Sequence, residues 1–134
     1  MAKPPGRAPL RDARDDLRQL LTDRPFSARA WLMLLTPDCH LRIGNLTPAV
    51  GRARAIEQLG AFLGGTAGVG GAFWDTVSQE RALLIETDVQ YEGPAGRLDE
   101  IPCAIILRPP LAPFQDVRIY LDPAPLPPPR APFG

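Results

Sequence analysis

The chain has 134 residues, and its fifteen basic and fifteen acidic residues cancel to a formal net charge of zero. That balance argues against nucleic acid or an anionic membrane as the main partner, because both select a basic surplus. A chain of this length is expected to form one domain and to bury roughly two-thirds of its unfolded surface.

Proline marks both ends. Met1–Ala8 reads as an extended tail, a single domain is expected over 9–125, and the proline-rich stretch 126–134 reads as a second tail. Such a tail is either a solvated end or a ligand for an aromatic groove. No apolar leader opens the chain and no run of ~18 apolar residues occurs, so neither a signal peptide nor a membrane span is expected, and the location is read as cytoplasmic. Cys39 and Cys103 could pair, but two cysteines without a secretion signal read as free thiols, and their lack of C-x-x-C spacing argues against a zinc site.

Leu10, Ala13, Leu17, Leu20 and Leu21 recur at helical spacing, and Pro25 closes that helix. Ser27 is placed to cap a short second helix carrying Trp31, Leu34 and Leu35, with Pro37-Asp38 as its stop. Cys39–Ile43 alternates like a strand, with Cys39, Leu41 and Ile43 on one face and His40 and Arg42 on the other. A third helix is expected from about Gly51 to Leu63, burying Ala55, Ile56, Leu59, Phe62 and Leu63, with Gly64-Gly65 as its end. Candidate strands follow at Ala72–Ser78, Ala82–Tyr91, Ile101–Arg108 and Asp116–Leu121, joined by turn chemistry at Gly93–Gly96 and Pro109–Pro113. Helices first and an antiparallel meander afterwards imply an α+β fold with the helices on one face of a curved sheet.

Few motifs carry chemistry. The glycines between Gly64 and Gly71 lack the Lys-Ser/Thr of a phosphate loop. His40 is the one histidine, which excludes a histidine metal cluster, and its strand position reads as surface. Arg118, Tyr120 and Asp122 alternate on one face of the last strand as a solvated or interface ladder. No metal and no cofactor is expected.

The segment from Leu83 to Tyr91 admits two readings. One strand face carries Leu83, Ile85, Thr87, Val89 and Tyr91; the other carries Leu84, Glu86, Asp88 and Gln90. Either the acidic face meets solvent, or it looks into a pocket walled by the apolar rows Ile101, Cys103, Ile105 and Val117, Ile119, Leu121. In a pocket, desolvation and mutual repulsion would raise a carboxyl pKa and suit it to proton exchange near neutral pH.

Three stretches resemble the SnoaL-like branch of the NTF2-like superfamily: Leu35–Asn45, Leu46–Arg52 leading into Ala55-Ile56-Glu57, and Val117–Pro123. The resemblance runs over about Leu10–Leu126. It implies a cone, a strongly curved antiparallel sheet wrapped around three helices, with an apolar pocket at the wide end. It also implies small-molecule acid–base chemistry: isomerisation, cyclisation or epoxide opening of an apolar substrate. On the family register Asp88 matches a pocket aspartate, and Glu86 stands where epoxide hydrolases carry arginine. The positions of other family catalytic groups fall on Leu41, Ile43 and Ile119. The resemblance thus makes Asp88 the proton donor or acceptor, Glu86 its partner and Gln90 a substrate-orienting group. Leu41, Ile43, Ile101, Cys103, Ile119 and Leu121 become the walls. It further implies a homodimer through the outer sheet face, offering Leu83, Ile85, Val89, Tyr91 and Tyr120. The alternative is a cone that holds an apolar ligand or a protein partner without chemistry.

Overall fold

The computed structural model describes residues 9–22, 27–63, 68–92 and 96–122, with 22, 63, 68–74, 92 and 98 described in backbone only. Both expected tails, Pro25 and the Gly64-Gly65 helix end lie outside those residues. Helix α1 spans Arg14–Thr22. It starts where the Asp12 carboxylate accepts the Arg14 backbone N–H at 3.0 Å, and Asp15 and Asp16 in its first turn suit the positive end of the helix dipole. Its Leu17 and Leu21 are buried in line with Ala13, the residue just before it.

The second helix is a 3₁₀ helix, Ala28–Leu34, in which Ser27 makes no side-chain cap. It turns straight into strand β1, Leu35–Ile43. The strand therefore begins four residues earlier than the alternation from Cys39 suggests and runs through Pro37. A register shift between Leu35 and His40 makes room there, since a proline without an N–H fits a bulge rather than a regular ladder. A two-residue strand β2, Ala49–Val50, precedes helix α2, Arg52–Leu63. Gly51 sits between them at φ +96 and donates its N–H to the Cys39 carbonyl at 2.8 Å, a conformation that favours glycine. In α2, Ala55, Leu59 and Phe62 are buried and Ile56 is half-buried.

Four longer strands follow: β3 Gly68–Ser78, β4 Leu83–Glu92, β5 Leu98–Arg108 and β6 Phe114–Tyr120. They form the expected antiparallel meander. The complete sheet is six-stranded in the order β2-β1-β6-β5-β4-β3, and β1 pairs with β6 in parallel. The sheet is thus mixed rather than wholly antiparallel. It is curved and unclosed, and it wraps one face around the three helices in an α+β cone.

The core fills that concave side. Cys39, Leu41 and Ile43 of β1, Leu83, Ile85 and Val89 of β4, Ile101, Cys103, Ile105 and Leu107 of β5, and Val117 and Ile119 of β6 pack with Leu17, Trp31 and Leu59 in one cluster. Thr87 is the buried polar residue on this wall. Trp31 Nε1 is also buried, with no hydrogen-bond partner among the described residues.

Candidate functional site

Directly opposed residues of a ladder share a sheet face. Thr87 opposes Cys103 and Val89 opposes Ile101, so these four lie on the concave wall. Glu86 opposes Ala104, Asp88 opposes Pro102 and Gln90 opposes Glu100, which sets all of these on the convex face. Glu86 and Ala104 are exposed, while Asp88 and Gln90 are half-buried. The amide Nε2 of Gln90 donates to Glu100 Oε1 at 3.2 Å.

This corrects the expected pocket. The wall residues Leu41, Ile43, Ile101, Cys103 and Ile119 are fully buried together, with Leu121 half-buried against them, but Glu86, Asp88 and Gln90 face the other way. The physical reason is the two-residue period of a strand: a register displaced by one position exchanges the faces. Proton transfer to an apolar substrate on the concave wall would need carboxylates on that wall. The expected dimer patch is corrected for the same reason. Leu83, Ile85 and Val89 are buried in the core and Tyr91 packs against it; Tyr120 alone of the five faces outward. His40 and Arg42 are exposed on the convex face, as their alternation implies.

The wall's fully buried titratable groups are thiols; Tyr91 and Asp99, opposed across the β4–β5 ladder, lie half-buried on the same face at its far end. Burial pushes the Cys103 thiol up to about 12, with the Asp88 charge adding to the effect, and burial also raises Cys39. Both are free. No set of three or more His, Cys, Asp and Glu among the described residues is placed to hold a metal.

With the geometry established, comparison with solved structures identifies the architecture. A protein named for the SnoaL-like polyketide cyclases from Jannaschia sp. CCS1 superposes at TM-score 0.63 with 14% identity, covering 87% of this chain and 90% of that one. An NTF2-like protein from Anabaena variabilis superposes at TM-score 0.59 with 18% identity, covering 81% and 82%. The chain adopts the NTF2-like fold. A protein from a study of de novo design of diverse pocket structures matches this NTF2-like cone equally well, at TM-score 0.64 with 16% identity over 83% and 96%. The likeness therefore reports shape, not activity. No protein-family model and no curated protein matches the chain. No described helix is long and apolar enough to cross a membrane.

What distinguishes the convex face of this NTF2-like sheet is how its charge is sorted. On β1, β6 and β5 it carries His40, Arg42, Arg108 and Arg118 around the carboxylate of Asp116, with Asp38 on β1 and Asp122 just past β6 also exposed. Asp116 accepts Arg118 Nε at 3.0 Å and Arg108 Nη1 at 3.3 Å. A hydrogen bond with Tyr120, and then Asp116, raise the Arg118 pKa. On β4, β3 and the far end of β5 the face carries Glu86, Asp88, Asp75 and Glu100. Between the two halves the middle strand β5 carries an uncharged row, Pro102 opposite Asp88, Ala104 between Glu86 and Tyr120, and Ile106 between Leu84 and Arg118; Leu84 and Val77, opposed on β4 and β3, continue its apolar end into the acidic half. Val77 is 46% exposed and Tyr120 42%. Like charges oppose each other in both halves, Arg42 across from Arg118 and Asp75 across from Glu86.

Sequence reasoning singled out His40, Arg42, Arg118, Glu86 and Asp88 of these rows and passed over Asp75, Glu100, Arg108 and Asp116. It missed their sorting, because that depends on the strand order β1-β6-β5-β4-β3, and the parallel β1–β6 pairing that creates the basic half has no local signal.

Proposed function

We propose that this NTF2-like chain is an assembly module that pairs with a second copy of itself through the convex face of its sheet. The observation that carries this reading is the pair of like-charge contacts of opposite sign on the two sides of one uncharged row. Strand β5 is the middle of the five strands β1-β6-β5-β4-β3. A two-fold axis lying over β5 and roughly along the strands would set β1 and β6 of one copy over β3 and β4 of the other. β6 then faces β4 and β1 faces β3, so the Arg42–Arg118 pair of each copy comes within two residues along the strand of the Asp75–Glu86 pair of its partner, and the Pro102, Ala104 and Ile106 row of β5 covers its own counterpart. Such an interface is isologous and closes at two copies. Glu86 and Asp88 serve it as charge partners rather than in proton transfer.

The test is charge reversal with complementation. Asp75→Arg on β3 and Arg42→Glu on β1, the strands this axis superposes, should each be monomeric by sedimentation at concentrations where the natural chain is dimeric. Mixed together they should form a heterodimer, because each reversed residue meets its reversed counterpart. A natural chain that stays monomeric at tens of micromolar would overturn the reading, and so would reversals that leave the dimer unchanged.

A further inference from the structure

A second feature lies away from the convex face, where the 3₁₀ helix, the start of β1, the β5–β6 connection and the first residue of α2 converge. They enclose a cavity of about 380 Å³, within the range of roughly 300–1,000 Å³ typical of small-ligand sites. Leu10, Met33, Pro109 and Pro113 supply apolar wall. Leu10 is 61% exposed and Met33 78%, and both border the same cavity, so together they leave apolar surface facing water. Met33 also borders an adjoining cavity of about 270 Å³ on the α1 side, so apolar surface continues past it.

The charged group set into this wall is Arg52, with the polar Thr36 and Gln115 beside it in the lining. It is half-buried, and no carboxylate pairs with it among the described residues. Its recorded contact is Nη1 donating to the Leu35 carbonyl at 3.4 Å, which is long for such a bond. Asp38, on the same stretch of β1, accepts the Thr36 hydroxyl at 2.9 Å rather than an Arg52 N–H. A partly desolvated guanidinium keeps several N–H donors in a fork that matches a carboxylate. Cations withdrawn from water are ordinarily paired.

We infer that this cavity binds a small amphipathic carboxylate, its anionic head on Arg52 and its hydrocarbon body along Met33, Leu10 and the two prolines. The head group meets the one cation in the lining, and the body covers apolar surface that otherwise faces water. The site shares no residue with the proposed interface, so either proposal can fail alone.

Octanoate is the probe and octanol its neutral counterpart. Titration of the full chain should give saturable octanoate binding with a Kd below about 1 mM, and octanol should bind at least tenfold more weakly. Met33 is one of two methionines, so its ¹³C-labelled methyl resonance reports the location and should shift with octanoate. Arg52→Met should weaken octanoate at least tenfold while leaving octanol within about threefold; Arg52→Lys should retain part of the difference, and Met33→Asp should weaken both ligands. Equal affinity for octanoate and octanol would overturn the inference, as would an unmoved Met33 methyl or an Arg52→Met chain that binds octanoate normally. Should Arg52→Met fail to fold, the natural chain decides: a Met33 shift larger for octanoate than for octanol at matched concentration supports the site, and equal shifts overturn it.

Discussion

Asp75 and Glu86 stand directly opposite each other across the β3–β4 ladder, two exposed carboxylates of the same sign. Cross-strand like charges destabilise a sheet by roughly 0.2–1 kcal/mol. Glu86→Gln should therefore stabilise the isolated chain by about that amount, read as a higher melting temperature in dilute solution. In concentrated solution the same substitution should weaken pairing, read as a larger dimer dissociation constant. A substitution that moved both quantities in the same direction would separate Glu86 from the interface.

The second prediction concerns salt. An interface steered by arginine and carboxylate rows is screened as the Debye length falls from ~10 Å at 0.1 M to ~3 Å at 1 M. The dimer should dissociate progressively over that interval, measured by sedimentation velocity. Pairing that is indifferent to salt would mean that the uncharged row acts alone.

The third concerns Asp88. It is half-buried on the convex face beside Pro102, not enclosed with the core. Asp88→Asn should change folding stability by no more than about 0.5 kcal/mol, the usual range for surface substitutions. A larger loss on chemical denaturation would show a structural bond that its position does not suggest.

The fourth concerns alkaline pH. The Cys103 thiol has its folded pKa raised to about 12 from an ordinary value of 9.0. The folded chain therefore holds this proton more tightly than the unfolded chain does. The resulting stability is complete below the unfolded pKa and is lost as pH rises from there toward 12. Denaturation midpoints should fall over that interval, and Cys103→Val should flatten the fall. Both thiols are buried, so an aromatic disulfide reagent should label them slowly in the native chain and promptly in denaturant. Rapid native labelling would place Cys103 at an accessible surface.

Much of the architecture was legible from residue type alone. Helical spacing located Leu17 and Leu21, and alternation put His40 and Arg42 opposite Leu41 and Ile43, because burial of one face is what imposes those periods. For β4 the same alternation offered the right answer, with Leu83, Ile85, Thr87 and Val89 inside; the family register displaced it and turned Glu86 and Asp88 inward. A displacement of one residue cannot be detected from the strand by itself, since each face carries some apolar side chains. The groove at Arg52 was not legible at all. Leu10, Met33, Arg52, Pro109 and Pro113 meet there through tertiary packing, and no spacing along the chain connects them.

The parallel pairing of β1 with β6 ties Leu35 to Phe114 and Ile43 to Ile119, across most of the chain. During synthesis, β1 emerges long before the strand that must lie beside it exists. Until then its flank is an open edge, able to accept the wrong strand, and its inner row of Cys39, Leu41 and Ile43 lacks half its cover. Closure of such a distant pairing carries a large loop entropy and slows folding. A chain released early, before Phe114–Tyr120, would expose that edge permanently, so the last strand sets when the nascent protein becomes safe from aggregation.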